Sequence, residues 1–218
     1  ANGRRTGLGT HGLADALACL TLPYDSEKAQ TTTEKIYRTL KESAYSESVE
    51  LARERGAFPV FDWEKEKSNL FIANLPKILQ EKISRFGRRN ISILTNAPTG
   101  SVSIMSQTSS GLEPVFRNSY TRRRKLSHNE QHVDADFIDD LGDKWVEYRV
   151  WHHNILEWLK TTSDFVQTSG DGGIDDMLLL PDFFVTSDQI NWKRRVEIQA
   201  VIQKNIDHAI SSTINLPK

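Results

Sequence analysis

Asn90-Ile91-Ser92-Ile93-Leu94-Thr95-Asn96 runs directly into Ala97-Pro98-Thr99-Gly100-Ser101-Val102-Ser103, and no other stretch of the chain constrains its fold so tightly. Ile91, Ile93 and Leu94 supply the apolar, partly β-branched content of a buried strand, and Pro98-Thr99-Gly100 ends it with turn chemistry. A strand entering a small-residue loop is a junction that can hold a phosphate. Gly100 lets the backbone approach a ligand, while Thr99, Ser101 and Ser103 bring hydroxyls beside the free N–H groups of the turn. An ordinary strand-to-loop junction has the same local pattern, so these residues alone leave both readings open.

Around this junction the pattern alternates helix and strand, which favours an α/β fold with a largely parallel sheet or barrel. Leu13, Ala16, Leu17 and Leu20 recur at helical spacing, a setting in which Cys19 reads as a packed core thiol. Thr31-Thr32-Thr33-Glu34 offers a capping box for a long helix with Ile36, Leu40, Ala44, Val49, Leu51 and Ala52 as its apolar positions, closed by a left-handed Gly56. Asn74 and Pro76 open a shorter helix that Gly87 ends. The basic and polar stretch 121–143 reads as an irregular insert. Beyond it Trp145, Tyr148, His152, Ile155, Leu156 and Leu159 repeat with helical spacing, and 161–173 reads as an exposed loop. Phe183-Phe184-Val185-Thr186 suggests a strand, a helix is expected from about 191 to 210 on Val196, Ala200, Val201 and Ile206, and Thr213-Ile214-Asn215-Leu216 a last strand.

The charge balance narrows the classes of partner. Lys and Arg number 28 against 29 Asp and Glu, a formal charge of -1, so no global field recruits nucleic acid or an anionic membrane. No apolar run approaches the ~20 residues of a membrane span, and the N-terminal residues lack the apolar core of a signal peptide. A cytoplasmic protein is expected, and a single cysteine agrees with a reducing compartment.

Three other motifs invite sharper claims. Gly7-Leu8-Gly9-Thr10-His11-Gly12 satisfies the glycine pattern of a dinucleotide-binding oxidoreductase, but the polar and basic residues 1–6 are not the apolar strand that motif needs, and close helix packing is the expected use of these glycines. His128 and His132 stand at i and i+4 without an evident third ligand, so no metal site is expected. Arg122-Arg123-Arg124-Lys125 would serve a non-catalytic phosphate- or nucleic-acid-binding module. With a neutral chain it reads instead as a solvated strip facing Asp134, Asp136, Asp139, Asp140 and Asp143. His152, His153 and His208 read as satisfied helical histidines, and no serine sits in a nucleophile elbow.

Longer motifs carry a resemblance. The run from Asn90 through Thr108-Ser109-Ser110-Gly111-Leu112-Glu113-Pro114-Val115-Phe116 to Tyr120-Thr121-Arg122-Arg123-Arg124-Lys125 resembles the phosphate-binding strand and loop of the ribonucleotide reductase large subunit, most like its adenosylcobalamin-dependent class. Arg4-Arg5-Thr6-Gly7-Leu8-Gly9-Thr10-His11-Gly12-Leu13-Ala14-Asp15 is similar to that family's helix opening. Gln203-Lys204-Asn205-Ile206-Asp207-His208-Ala209-Ile210-Ser211-Ser212-Thr213-Ile214-Asn215-Leu216-Pro217 is similar to its closing helix and strand.

The resemblance implies a single body over residues 1–218, part of an arc of a ten-stranded α/β barrel. It divides into helical 1–87, the phosphate-loop strand 88–120, the insert 121–143, and helix, loop and final strand, helix and strand over 144–218. It places the substrate phosphates on Ala97, Pro98, Thr99, Gly100, Ser101, Val102 and Ser103, with Ser101 and Val102 where many relatives carry Thr and Ile. It implies ribonucleotides as substrates, adenosylcobalamin as cofactor and a thioredoxin-like reductant for the whole enzyme, which would use a thiyl radical and a further cysteine pair. One thiol cannot fill three roles, so the expectation is a piece inactive alone, either truncated or completed by a split-gene partner chain that supplies the rest of the catalytic subunit. No nucleic acid and no membrane is expected among the partners.

Overall fold

A computed structural model describes residues 2–127, 129–130, 132–162 and 180–213. Its spine is a 29-residue helix, α2 (Glu27–Arg55), preceded by α1 (Leu13–Cys19). Ser26 caps α2, its Oγ accepting the Ala29 N–H at 3.1 Å, so the helix begins well before the expected Thr31–Glu34 box, which lies within it. The buried face of α2 is a stripe of Ala29, Thr33, Tyr37, Lys41, Tyr45, Ser48, Val49 and Ala52, spaced near four residues, while the expected core residue Ile36 is exposed. This stripe packs on α5 (Lys77–Phe86) and α8 (Trp192–Gln203). Gly56 ends α2 at φ 79°, with an extended ψ of 153° rather than the left-handed cap.

Two single-turn helices, α3 (Trp63–Glu66) and α4 (Leu70–Ala73), bridge to α5. Asn69, not Asn74, provides a side-chain cap here. Asn74 ends α4, and Pro76 stands at the cap of α5, where a missing N–H breaks no helical bond. On α8 the buried residues are Arg195, Ile198 and Ile202, the expected Val196 and Ala200 face solvent, and the helix stops at Gln203 instead of near 210.

The stretch 91–96 is extended and lies between two parallel neighbours, pairing through Leu94 with Leu8 and through Asn96 with Ile210. Main-chain bonds run from Ile91 N to Gly3 O (2.8 Å), Thr95 N to Leu8 O (2.9 Å) and Ser211 N to Asn96 O (2.8 Å). Leu94 and Ile93 are buried in the main core with Leu13, Leu17, Tyr37, Val49, Ile83 and Ile202.

The regular sheet is elsewhere and antiparallel, in the order β1-β3-β2, from β1 (Ser119–Lys125), β2 (Phe137–Ile138) and β3 (Lys144–Trp151). Two expectations fail here: the insert 121–143 contains most of β1 and all of β2, and 144–151 is a strand, with the helix α7 (His153–Thr162) starting only after it. The basic run sits on β1, an edge strand whose charges pair locally, Arg123 with Glu147 (2.7 Å), Arg124 with Glu130 (2.7 Å) and Lys125 with Asp143. Of the five aspartates expected to face it, Asp143 pairs with Lys125 and Asp139 feels the Lys125 charge. Ile155 and Leu159 of α7 form a second small core with Trp151, Trp158, Leu180 and Phe184. Phe183 and Phe184 lie in a 3-10 turn, Asp182–Phe184, rather than a strand. His128, most of the 161–173 loop and the end of the last expected strand lie outside the described residues.

Candidate anion-binding site

The site is built on the end of the buried strand. Asp207 holds that strand from the side: its Oδ2 accepts the Ile93 N–H and its Oδ1 the Leu94 N–H, both at 2.8 Å, and the Tyr45 hydroxyl donates to Oδ2 at 2.5 Å. Burial, reinforced by the Asp207 charge, pushes the Tyr45 phenol far above its usual range, so it stays a neutral donor. Asn96, also buried, fixes the strand's last residue by accepting the Thr10 N–H on Oδ1 at 3.1 Å.

From this fixed point the chain bends through residues 97–99 into a short helix, α6 (Gly100–Ser106). Ala97 and Pro98 line a polar cavity of about 140 Å³ together with Gly111, Glu113, Ser211 and Thr213. Thr99 ties the two sides of the bend, its Oγ1 accepting the Gly111 N–H at 2.7 Å. Ser103 N–H closes the first helical turn on Thr99 O at 2.8 Å. Among the described residues, the N–H groups of Gly100, Ser101 and Val102 have no acceptor. A Cβ added at Gly100 meets nothing within 4 Å, so the space beside this residue is open. The seven expected residues form one bend. Ser103 is buried and its hydroxyl donates back to Gly100 O at 3.1 Å, which braces the turn.

Glu113 and Arg195 also belong to this site, and motif reasoning missed both. Glu113 is held by the Thr213 N–H and lies 3.3 Å from the buried Arg195, whose guanidinium also donates to the Tyr24 hydroxyl (2.8 Å) and Ser212 Oγ (2.6 Å). The ion pair cancels the carboxylate's charge at the cavity wall. Arg195 hides in a helix whose apolar spacing drew attention elsewhere.

The rival motifs are placed differently. Gly9 lies so close to the neighbouring strand that an added Cβ would sit 2.1 Å from Thr95 O, and one at Gly7 would sit 2.8 Å from Thr95 Cγ2. These glycines serve strand-to-strand approach, not the expected helix packing, and leave no space for a pyrophosphate. Cys19 is exposed rather than packed in the core, as α1 turns Leu13, Leu17 and Ala18 inward instead. His152 and His208 are satisfied as expected but lie outside helices, on Asp15 Oδ1 (2.8 Å) and Ser92 Oγ (2.5 Å).

Fold and site define an α/β body that presents a bend of free amides at the end of a buried strand with parallel neighbours. A family model described as the ribonucleotide reductase barrel domain matches residues 1–218, the entire chain. The chain belongs to this family. It is 30% identical to a vitamin B12-dependent ribonucleoside-diphosphate reductase of Mycobacterium tuberculosis over 98% of its length and 27% of the relative's. A protein of that same description from Thermoplasma acidophilum is 27% identical over 98% of this chain and 24% of the relative. The ribonucleoside-diphosphate reductase large chain of Encephalitozoon cuniculi is 26% identical over 99% and 28%. The chain thus spans about a quarter of the length of these curated relatives. Among solved structures, the Actinobacillus ureae class Id ribonucleotide reductase alpha subunit superposes with a TM-score of 0.62 at 21% identity, over 98% of this chain and 34% of that one, a likeness of fold.

Proposed function

We propose that this chain is part of the catalytic barrel of a cytoplasmic ribonucleotide reductase and that residues 97–103 anchor the phosphates of its ribonucleotide substrate. The observation that carries the reading is the set of unpaired N–H groups of Gly100, Ser101 and Val102, in the same bend as Ala97 and Pro98, which line a polar cavity. Amides left free at the start of a helical turn can neutralise anionic oxygens without a lysine, because the oxygens accept hydrogen bonds that the turn cannot otherwise make. Thr99 and Ser103 keep the turn in shape, and Asp207 and Asn96 keep the strand beneath it in register. The three parallel segments are, in this reading, an arc of a ten-stranded α/β barrel.

The chemistry of the whole enzyme would be hydrogen abstraction from the ribose by a cysteine radical, loss of the 2′-hydroxyl as water, and reduction by a cysteine pair that a thioredoxin-like protein re-reduces. Cys19, single and exposed, does not supply these thiols, which we assign to the remainder of the catalytic subunit or a partner chain. Two of the relatives are named as B12-dependent and the third is not, and adenosylcobalamin is the cofactor we favour. Among the described residues no group of three or more His, Cys, Asp or Glu side chains is placed to hold a metal. His11, His152 and His208 already have partners.

Gly100→Val tests the reading. Its Cβ meets nothing within 4 Å, so the fold should hold while the side chain fills space beside the amides. In the completed enzyme, ribonucleotide affinity should fall about tenfold or more, the loss of one or two charge-assisted hydrogen bonds. Unchanged affinity contradicts the proposal.

A further inference from the structure

We propose that the C-terminal ends of α2 and α5 form a docking surface for an acidic, extended segment of another protein chain, centred on Arg4, Arg55 and Arg89. Three cations meet there. Arg89 Nη1 donates to Arg55 O (2.7 Å) and Gly56 O (3.0 Å), and Arg4 Nη1 donates to Ala57 O at 2.7 Å, so both guanidiniums converge on three successive carbonyls at the end of α2. Arg55 stands in the same turn, its side chain 67% exposed. This surface lies at the opposite end of the buried strand from the phosphate bend, because Arg89 precedes residue 91 and the bend follows residue 96.

Cations at a helix C-terminus ordinarily offset the carbonyls left free there, and Nη1 of each side chain does so. That role leaves most of the donors over. Among the described residues Nε and Nη2 of Arg4 and of Arg89 have no acceptor, and neither side chain forms an ion pair. Arg55 has only Glu54, at 3.9 Å. The arrangement is also strained. Arg4 sits at φ 47°, in the left-handed region that side chains disfavour, and the Asn90 side-chain amide pins it there by donating to Arg4 O at 2.8 Å. Partial desolvation and the like charges of Arg4 and Arg55 hold the Arg89 guanidinium below its ordinary value. Backbone strain and like-charge repulsion gathered at one surface point mark a site whose counter-charge comes from another molecule.

The surroundings decide the kind of partner. Gly87 brings the two helix ends together, since a Cβ there would sit 2.6 Å from Ala57 Cβ. From the centre the cations continue along the last turns of both helices: Arg53 and Arg85 lie over the Phe86 ring, 5.1 and 4.9 Å from its centre. Of these two only Arg53 has a carboxylate partner, Glu50. A row of planar guanidinium forks fits carboxylates spaced along an extended chain, each accepting two parallel hydrogen bonds. A single small oxyanion would reach the centre alone.

The test titrates the 218-residue chain with a hexaglutamate peptide blocked at both ends, following arginine Nε–H signals by ¹H–¹⁵N NMR, with inorganic phosphate as the small-anion control. Saturable shifts at Arg4, Arg55, Arg85 and Arg89 are expected, at an affinity well above that for phosphate and weakening as salt is raised. Arg89→Gln also removes the contacts at the end of α2, so the exposed Arg55 and Arg85 carry the mutational test. Arg55→Gln and Arg85→Gln should each weaken peptide binding about threefold, and the double variant about tenfold, with thermal stability kept. Gly100→Val should leave peptide affinity unchanged, separating this surface from the phosphate bend. No saturable binding, shifts confined to Arg122, Arg123, Arg124 and Lys125, equal affinity for phosphate, or indifference to the double variant would overturn the proposal.

Discussion

Asp15 shows how one side chain can serve two elements that the chain brings together over a long distance. Its carboxylate, on the first turn of α1, receives both His152 and the Ser109 amide, joining the main body to the strand-and-helix unit of β3 and α7. Burial raises the Asp15 pKa, but the hydrogen bond and charge of His152, the Ser109 amide and Asn154 outweigh it and hold the carboxyl below its ordinary value. A carboxyl with a depressed folded pKa binds protons less readily in the folded state than in the unfolded chain. Its stabilisation is therefore complete above the ordinary value of 3.8 and lost as pH falls through the lower folded value. We predict that urea midpoints of the parent drop between about pH 5 and about pH 3 more steeply than those of Asp15→Asn. Parallel acid limbs would show that Asp15 does not couple to folding.

At the scale of elements, what was legible in the sequence depended on whether local chemistry and tertiary contacts agreed. The strand 91–96 and its bend were legible because β-branched residues, a proline and a glycine each dictate the same geometry. The close of α2 at Gly56 was legible in position, though its ψ is extended rather than left-handed. Its start was misplaced because two caps compete: Ser26 and Thr31 both suit a helix N-terminus, and packing of Ala29 and Thr33 into the core favours the earlier one. The β1 and β3 strands were missed because their stabilisation is cross-strand. Arg123 facing Glu147 gives no alternation to a one-dimensional reading, and Trp145, Tyr148 and His152 fall at helical intervals by coincidence.

Candidate-site residues outside the bend were less legible still. Asp207 and Glu113 lie within motifs that carried the resemblance, but their roles come from contacts with Ile93, Leu94 and Arg195 that a linear reading does not contain, and Arg195 lies in no motif. The glycines of 7–12 carried a real constraint, though on strand approach. Gly9→Ala forces Thr95 O away from a contact at 2.1 Å, and we predict a loss of about 1–3 kcal/mol in chemical denaturation, the range for overpacking. An unchanged midpoint would mean the strand pair tolerates separation.

At the scale of the molecule, the described residues leave a broad apolar outer surface on α6. Val102, Ile104 and Met105 are all exposed, Met105 at 86%, directly beyond the amides assigned to phosphate. The basic run, by contrast, is largely neutralised in place on its edge strand, as Arg124 also shows by holding Glu130 down to about 2 through its hydrogen bond and charge. Between α6 and β1, an anion therefore has two contrasting destinations: a bend of free amides whose neighbouring Arg195 is paired with Glu113, or a strip of cations largely paired.

Backbone amide shifts measured by ¹H–¹⁵N NMR during titration with inorganic pyrophosphate distinguish these destinations most directly. Saturable shifts centred on Gly100, Ser101 and Val102, with Arg122, Arg123, Arg124 and Lys125 unmoved, are the predicted result. Shifts confined to the basic strand, with the three amides silent, would contradict the account.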